Sequence, residues 1–203
     1  MDTSQLKRYA IQARRDFISA VAARAKRIGA DADGVADYQE RGDFLILGEQ
    51  KFPIEYKGAF AALRQAIYRK GFDHIIDEVA YTWFNRFVAL RYMELHDYLP
   101  HGMRVLSSRD SNSSPEIMRD PTRLDFSSDV NKEVIRELFE AGNREEELYR
   151  TLLIAQCNEL NAIMPFLFEK VSALSELLLP DNLLSSDSII RNLCSEIAED
   201  EWQ

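Results

Sequence analysis

The sequence predicts a mainly α-helical protein in which several helices pack around one long buried helix at about residues 73–96. Apolar residues recur at helical spacing through most of the chain, and glycine or proline separates the helical segments. Only one stretch, near residues 44–56, has the pattern of a small β-hairpin. With 203 residues, of which 46% are hydrophobic, we expect a single helical domain at 1–203. The alternative division is a helix and hairpin part at 1–126 and a helical part at 129–203.

The predicted central helix has the sequence DHIIDEVAYTWFNRFVALRYMELH. Trp83 and Phe87 lie on its apolar face, and Phe84 widens that face beyond what a surface helix needs. We therefore expect other helices to enclose it, with these three aromatic residues in the structural core. Charged residues interrupt the helix at every depth, so it does not have the pattern of a membrane span.

Glu94 also lies on the apolar face of this helix, and Arg91 precedes it by three positions. A charge in that position needs a partner. One interpretation is structural, in which Glu94 pairs with Arg91 or accepts hydrogen bonds from the backbone of a loop. The other is a buried polar switch or a ligand contact. Both residues are assigned to the structural core.

The other elements are predicted from caps, breakers and periodicity. In the first half of the chain they are a helix from Thr3 or Ser4 to Gly29, a loop at 31–42, the hairpin with a turn at Gly48-Glu49, and a helix from Tyr56 or Lys57 to Gly71 with Tyr68 in its apolar stripe. In the second half they are a possible strand at 103–106, a short helix at 115–119, a helix from Ser128 or Asp129 to Ala141, a helix capped by Asn143 and ended by Pro165, an element at 166–178, and a last helix capped by Ser186-Asp187. The terminal Trp202 is predicted to lie outside these elements.

The net charge of −9 conceals a gradient along the chain. Residues 1–28 contain seven Lys or Arg and two Asp, whereas the segment from Asp129 onwards is strongly acidic. Whole-protein attraction to nucleic acid is therefore not indicated. On the first helix, the candidate phosphate contacts are Lys7, Arg8, Arg14 and Arg15, and the alternative is an ordinary solvated helix face. Its apolar face is alanine-rich, which disfavours adsorption to a membrane.

The sequence contains none of the common catalytic motifs. It has no glycine-rich loop for a phosphate or dinucleotide, no nucleophile elbow, no Asn-Pro-Pro-Tyr-type loop and no histidine spacing typical of zinc. The acidic triplet Glu145 to Glu147 is explained by the helix dipole, because consecutive helical residues diverge by about 100° and cannot share one ion. Cys157 and Cys194 show no metal-ligand spacing, which is typical of a reduced, cytoplasmic protein. We predict no catalytic, cofactor-binding or metal-binding residue in this chain.

Three segments carry a resemblance to a known family. They are YAIQARRDFISAV from Tyr9, EVAYTWFNRFVALRYMELHDYLPHGMRVLSS from Glu78, and LLLPDNLLSSDSIIRNL from Leu177. Together they resemble the N-terminal region of the PglX family of adenine-specific DNA methyltransferases, which act in BREX phage-defence systems. The most specific part is Tyr81 to Phe87 followed by Arg91 to Glu94. The resemblance covers nearly all of this chain but only a minor share of that longer family.

The resemblance implies a parent enzyme that transfers a methyl group from S-adenosylmethionine to the exocyclic amine of adenine in DNA and so marks self DNA. It implies cofactor-binding and catalytic motifs beyond Gln203, and we expect this piece alone to be inactive. The remaining roles are a scaffold, a DNA clamp, or a docking element for other BREX proteins or a phage inhibitor. A non-catalytic helical adaptor is the alternative. A membrane partner is not expected.

Overall fold

The computed structural model describes residues 3–110, 114–126 and 132–202, with only the backbone described at 3–8. The described chain divides into two compact units. The first unit comprises 1–13, 84–171 and 182–203, and the second comprises 14–83 and 172–181. Helices α1 and α3, defined below, each contribute residues to both units.

The structure confirms a mainly α-helical fold with a small antiparallel sheet. The described residues form seven α-helices: α1 Thr3–Arg27, α2 Lys57–Lys70, α3 Phe72–Leu95, α4 Lys132–Ala141, α5 Glu145–Ile163, α6 Ala173–Leu177 and α7 Ile189–Glu196. Short 3-10 turns lie at Ile54–Tyr56, Glu116–Met118, Pro121–Arg123 and Glu199–Trp202. The predicted start of α4 at Ser128 or Asp129 lies outside the described residues.

The predicted hairpin is present, in the second unit. Strands β4 (Phe44–Leu47) and β5 (Gln50–Pro53) pair antiparallel across the turn at Gly48-Glu49. A third strand, β3 (Gln39–Arg41), adds to the other edge of β4. The two-residue strands β1 (Ala30–Asp31) and β2 (Gly34–Val35) form a separate ladder. The prediction of a loop at 31–42 was therefore wrong, because strands of two or three residues are too short to show an alternating pattern.

The second unit is built on the apolar faces of α1, α2 and the first half of α3. In α1, Phe17, Val21 and Ala25 are buried at helical spacing. In α2, the buried residues are Ala59, Phe60, Leu63 and Ile67. Tyr68 is 91% exposed, so its predicted place in the apolar stripe of α2 was wrong. It lies one position past Ile67 and so about 100° around the helix, which turns it to solvent.

The first unit takes its core from the second half of α3 together with α4, α5 and α7. The buried side chains of α5 are Leu148, Tyr149, Leu152, Leu153, Ala155, Gln156, Cys157 and Leu160. This helix ends at Ile163, two residues before Pro165, as the sequence predicts. No helix in the described ranges has the length and apolar content required to cross a lipid bilayer.

Five further predictions of local structure were wrong. Residues 103–106 form no strand, because backbone groups of that segment bond to side chains rather than to a neighbouring strand. Of the predicted element at 166–178, only α6 is helical. Arg144, not Asn143, occupies the N-cap position of α5, and Ser188 caps α7. Trp202 is half-buried, in a 3-10 turn.

Candidate functional site

The buried carboxylate of Glu94, in the second half of α3, uses both of its oxygens. Oε1 accepts from Arg91 Nη1 at 2.7 Å and from Ser107 Oγ at 2.8 Å. Oε2 accepts from the backbone N–H groups of Val105 at 2.8 Å and Leu106 at 2.7 Å. An ion pair and hydrogen bonds to a loop backbone are therefore both present, and Glu94 fixes the loop that follows α3.

Arg91 extends these contacts to the 3-10 turn at Glu199–Trp202. Its Nη2 donates to Glu199 Oε1 at 3.0 Å, and the Arg104 guanidinium donates to both Glu199 oxygens at 2.7 and 3.1 Å. We call Arg91, Glu94, Arg104, Ser107 and Glu199 the Glu94 network. Burial would lower the pKa of Arg91, but the surrounding negative groups, including both carboxylates, outweigh it and raise that pKa above its ordinary value. Two arginines face two glutamates, so the network is balanced in charge.

A second carboxylate, Glu116, holds the same loop further along. It accepts from the backbone N–H groups of Arg104 at 3.0 Å and Arg109 at 2.8 Å, and from Arg109 Nη1 at 2.6 Å. Burial would raise the pKa of Glu116, but these donors together outweigh burial and lower the pKa below its ordinary value. Glu116 is therefore ionised at neutral pH.

The Glu94 network favours the structural interpretation over a ligand site. Arg91 and Glu94 are each 2% exposed, and their charges are met by one another, by Glu199 and by the loop backbone. Across the parts of the chain that the structure describes, no group of three or more His, Cys, Asp or Glu is placed to hold a metal ion. The arrangement joins three segments of one unit through ion pairs and hydrogen bonds.

The two thiols are unsuited to nucleophilic chemistry. Burial raises the pKa of Cys157 to about 12 and that of Cys194 to about 12. The thiolate is the reactive form of cysteine, so both side chains are neutral and weakly nucleophilic at neutral pH. Both are free cysteines.

The predicted aromatic core residues of α3 differ in burial. Trp83 and Phe87 are fully buried, and Phe84 is half-buried. Trp83 also donates from Nε1 to the backbone oxygen of Ser175 at 3.0 Å, within the second unit. This bond satisfies the polar atom of a large, fully buried side chain.

The four candidate phosphate contacts all lie on α1, but only two have described side chains. Those of Lys7 and Arg8 lie outside the described residues. Arg14 and Arg15 are exposed, and neither forms an ion pair with any side chain that the structure describes.

The basic residues at the other end of α1 have a structural role instead. Arg24 donates to Asp181 Oδ1 and to the backbone oxygen of Leu177, both at 3.0 Å, and Arg27 lies 3.3 Å from Asp181. These contacts tie α1 to the 172–181 segment of the second unit. Their guanidinium groups are therefore already engaged within the protein.

Sequence reasoning missed Arg86 as a structural residue. Its side chain is buried, and its Nη2 donates to the backbone oxygen of Glu169 at 2.8 Å. Burial lowers the pKa of Arg86. The sequence did show a charged residue among the aromatic residues of α3. It could not show that this arginine bonds to a backbone atom 83 positions away.

Comparison with known proteins gives no match to any family model. The chain is 39% identical, over its whole length, to the adenine-specific methyltransferase BrxX of Escherichia coli O9:H4 (strain HS). It is 32% identical, again over its whole length, to the adenine-specific methyltransferase PglX of Lacticaseibacillus casei (strain Zhang). The chain is similar to the N-terminal region of these methyltransferases.

These matches confirm the resemblance predicted from the sequence. The chain covers 17% of the length of BrxX and 18% of the length of PglX, less than a fifth of either relative. The similarity concerns a region that, in this chain, contains the Glu94 network, the helix α3 and the exposed arginines of α1.

Proposed function

We propose that this chain is the N-terminal structural domain of a cytoplasmic adenine-specific DNA methyltransferase of the BREX type. The parent enzyme transfers a methyl group from S-adenosylmethionine to the exocyclic amine of adenine and so marks self DNA. The observation that supports this proposal is the similarity over the whole chain to the N-terminal regions of BrxX and PglX. Within the enzyme, the domain acts as a scaffold for the catalytic part.

The cofactor and the target adenine are assigned to other parts of the parent enzyme. Residues 1–203 contain no Asn-Pro-Pro-Tyr-type loop and no glycine-rich cofactor loop, so no catalytic role is given to any residue in them. The Glu94 network supports a scaffold role, because its paired charges join three segments of one unit and a rigid element positions a catalytic part accurately.

The test is methylation by the full-length gene product beside the 203-residue chain. We expect the full-length protein to transfer methyl groups to adenine in duplex DNA. The isolated chain should show no methylation and no heat of S-adenosylmethionine binding in a calorimetric titration. Saturable micromolar binding of the cofactor by the isolated chain would overturn the assignment of the cofactor site to the rest of the enzyme.

The alternative function is a helical adaptor that binds another BREX protein or a phage inhibitor without any catalytic part. The coding sequence after Gln203 separates the two functions. A catalytic loop of the Asn-Pro-Pro-Tyr type there supports the enzyme. A stop codon in that position supports the adaptor.

A DNA-clamp role is proposed for Arg14 and Arg15, because both are exposed on α1 and unpaired among the described residues. In the full-length enzyme, Arg14→Glu with Arg15→Glu should weaken binding equally for target and non-target duplexes. Contacts to phosphates carry no sequence information, and each one lost removes about one unit of salt dependence, so the slope should flatten by up to about two units. Fluorescence anisotropy over a salt series measures both effects.

The matched control is Arg123→Glu with Arg136→Glu, which changes the net charge equally. Those arginines are exposed and already paired with Asp120 and Glu133. The control should leave the salt slope unchanged. An unchanged slope in the Arg14 and Arg15 variant, with folding intact, would identify this part of α1 as an ordinary solvated face.

A further inference from the structure

The segment that follows α5 presents apolar side chains to solvent in a fixed turn. Within five consecutive positions, Ile163 is 63% exposed, Phe166 is 85% exposed and Leu167 is 40% exposed. Phe168, the next residue, is fully buried. We call residues 163–168 the Phe166 turn. Single exposed apolar residues are ordinary in proteins, but three together on one turn mark a candidate contact surface.

Hydrogen bonds close the Phe166 turn from within. The Met164 oxygen accepts from Leu167 N at 3.1 Å and from Phe168 N at 2.9 Å, and Met164 N donates to Leu160 O at 2.8 Å. These bonds continue the last turn of α5 past Pro165. Phe166 lies at the tip of this closed loop.

Side chains from α3 and α5 then anchor the chain on the far side of the turn. Arg86 donates to Glu169 O at 2.8 Å, and Asn161 donates to Phe168 O at 2.6 Å. Asn158 accepts from Val171 N at 2.8 Å. Two asparagines and a buried arginine thus fix the segment that directly follows the exposed Phe166 and Leu167. A rigid aromatic anchor loses little conformational entropy when it enters a pocket, which is typical of an interface hot spot.

The small area of this surface limits the kind of partner that it can bind. Its three exposed side chains present on the order of 300 Å² of apolar area, taking a free aromatic side chain as about 200 Å². A stable complex between separate proteins buries about 800 Å² on each partner. The Phe166 turn is therefore too small to hold a freely diffusing partner or a second copy of the chain by itself. A surface on the same polypeptide is different, because tethering supplies an effective concentration in the range of about 1 mM.

We propose that the Phe166 turn docks into an apolar pocket of the part of the methyltransferase that follows this domain in the same polypeptide. The proposal rests on the proposed function, and the relatives provide the length it requires, since more than four fifths of each lies outside the match. Phe166 fills the pocket, and Ile163 and Leu167 lie at its rim. The contact holds the scaffold against the catalytic part.

Hydroxyl-radical footprinting of the isolated chain and of the full-length enzyme tests the proposal. The oxidation rate of Phe166 should fall in the full-length enzyme to about a tenth of its rate in the isolated chain, as expected when the docked state is about 90% populated. An equal rate in both proteins would overturn it. A fall in the isolated chain as its concentration rises would also overturn it, because a second copy would then cover the turn.

Variants separate docking from a general change in the domain. In the full-length enzyme, Phe166→Ser should raise the oxidation of Ile163 and Leu167 to the rates of the isolated chain. Tyr68→Ser removes another aromatic side chain that is 91% exposed, and it should leave those rates unchanged. If Phe166→Ser leaves them protected, or Tyr68→Ser exposes them equally, the proposed contact is wrong.

Adenine methylation by the same preparations distinguishes this inference from the function on which it rests. If the full-length enzyme methylates adenine but Phe166 stays exposed, the proposed function stands and the docking contact is wrong. A full-length product that does not methylate adenine rejects the proposed function, whatever the footprint at Phe166.

Discussion

Trp83→Ala should lower the free energy of unfolding by about 3–5 kcal/mol, the cost of removing a large aromatic side chain from a closed core. Trp83 is fully buried, and its Nε1 bonds to the backbone oxygen of Ser175. The substitution therefore opens a cavity and also leaves a backbone acceptor without its partner. Because folded domains are stable by only about 5–15 kcal/mol, the loss should be visible in urea unfolding as a large shift of the midpoint.

The control for this prediction is Tyr81→Ala, two positions earlier on the same helix. Tyr81 is 66% exposed, so its removal should change the unfolding midpoint little. A Trp83→Ala loss below about 1 kcal/mol would contradict the burial of Trp83 and the central place of α3 in the second unit.

Glu94→Leu should destabilise the first unit by about 3–5 kcal/mol, because it leaves the buried Arg91 without the nearest opposite charge. The substitution also removes the acceptor of two backbone N–H groups, those of Val105 and Leu106. Leu fills similar volume, so the loss reports on polar contacts rather than on packing. Thermal and urea unfolding of both proteins measure it.

A double-mutant cycle with Arg91→Met tests whether the two residues act as a pair. We expect the double variant to lose clearly less than the sum of the single variants, since neither charge is then buried alone. Glu147→Gln is the control for an exposed ion pair, with Arg144, and should have a far smaller effect. Additive losses in the cycle would show that Arg91 and Glu94 are stabilised independently.

The helical elements were predictable because apolar periodicity and helix-breaking residues act locally. The α3 helix was predicted within one residue at each end, and α2 ended at the predicted glycine. The helix predicted at 166–172 does not form, because contacts with residues distant in the sequence decide the structure of this segment. Its sequence is apolar enough for a helix, but Arg86 and Asn161 bond its backbone oxygens from other elements, and those partners are set by tertiary structure.

The candidate site was predictable only in part for a similar reason. The spacing of Arg91 and Glu94 indicated an ion pair, because residues three apart share a helix face. Nothing in the local sequence indicated that Glu199, 108 positions later, contacts the same arginine. Arg14 and Arg24 carry the same charge on the same helix, yet of the two only Arg24 forms an ion pair among the described residues, with Asp181. Sequence pattern cannot make that distinction, since it depends on where a distant loop comes to lie.

The contact between Arg91 and Glu199 also sets an order of events during synthesis. At about 5–20 residues per second, a ribosome needs roughly 5–20 s to add the residues that separate the two partners. Throughout that time the Glu199–Trp202 turn is absent, so Arg91 can pair only with Glu94 and the following loop, and Arg104 lacks the Glu199 carboxylate. The contacts at the end of α3 are therefore complete only after Glu199 has been synthesised. A nascent chain that stalls before Glu199 therefore lacks the carboxylate that joins Arg91 to Arg104.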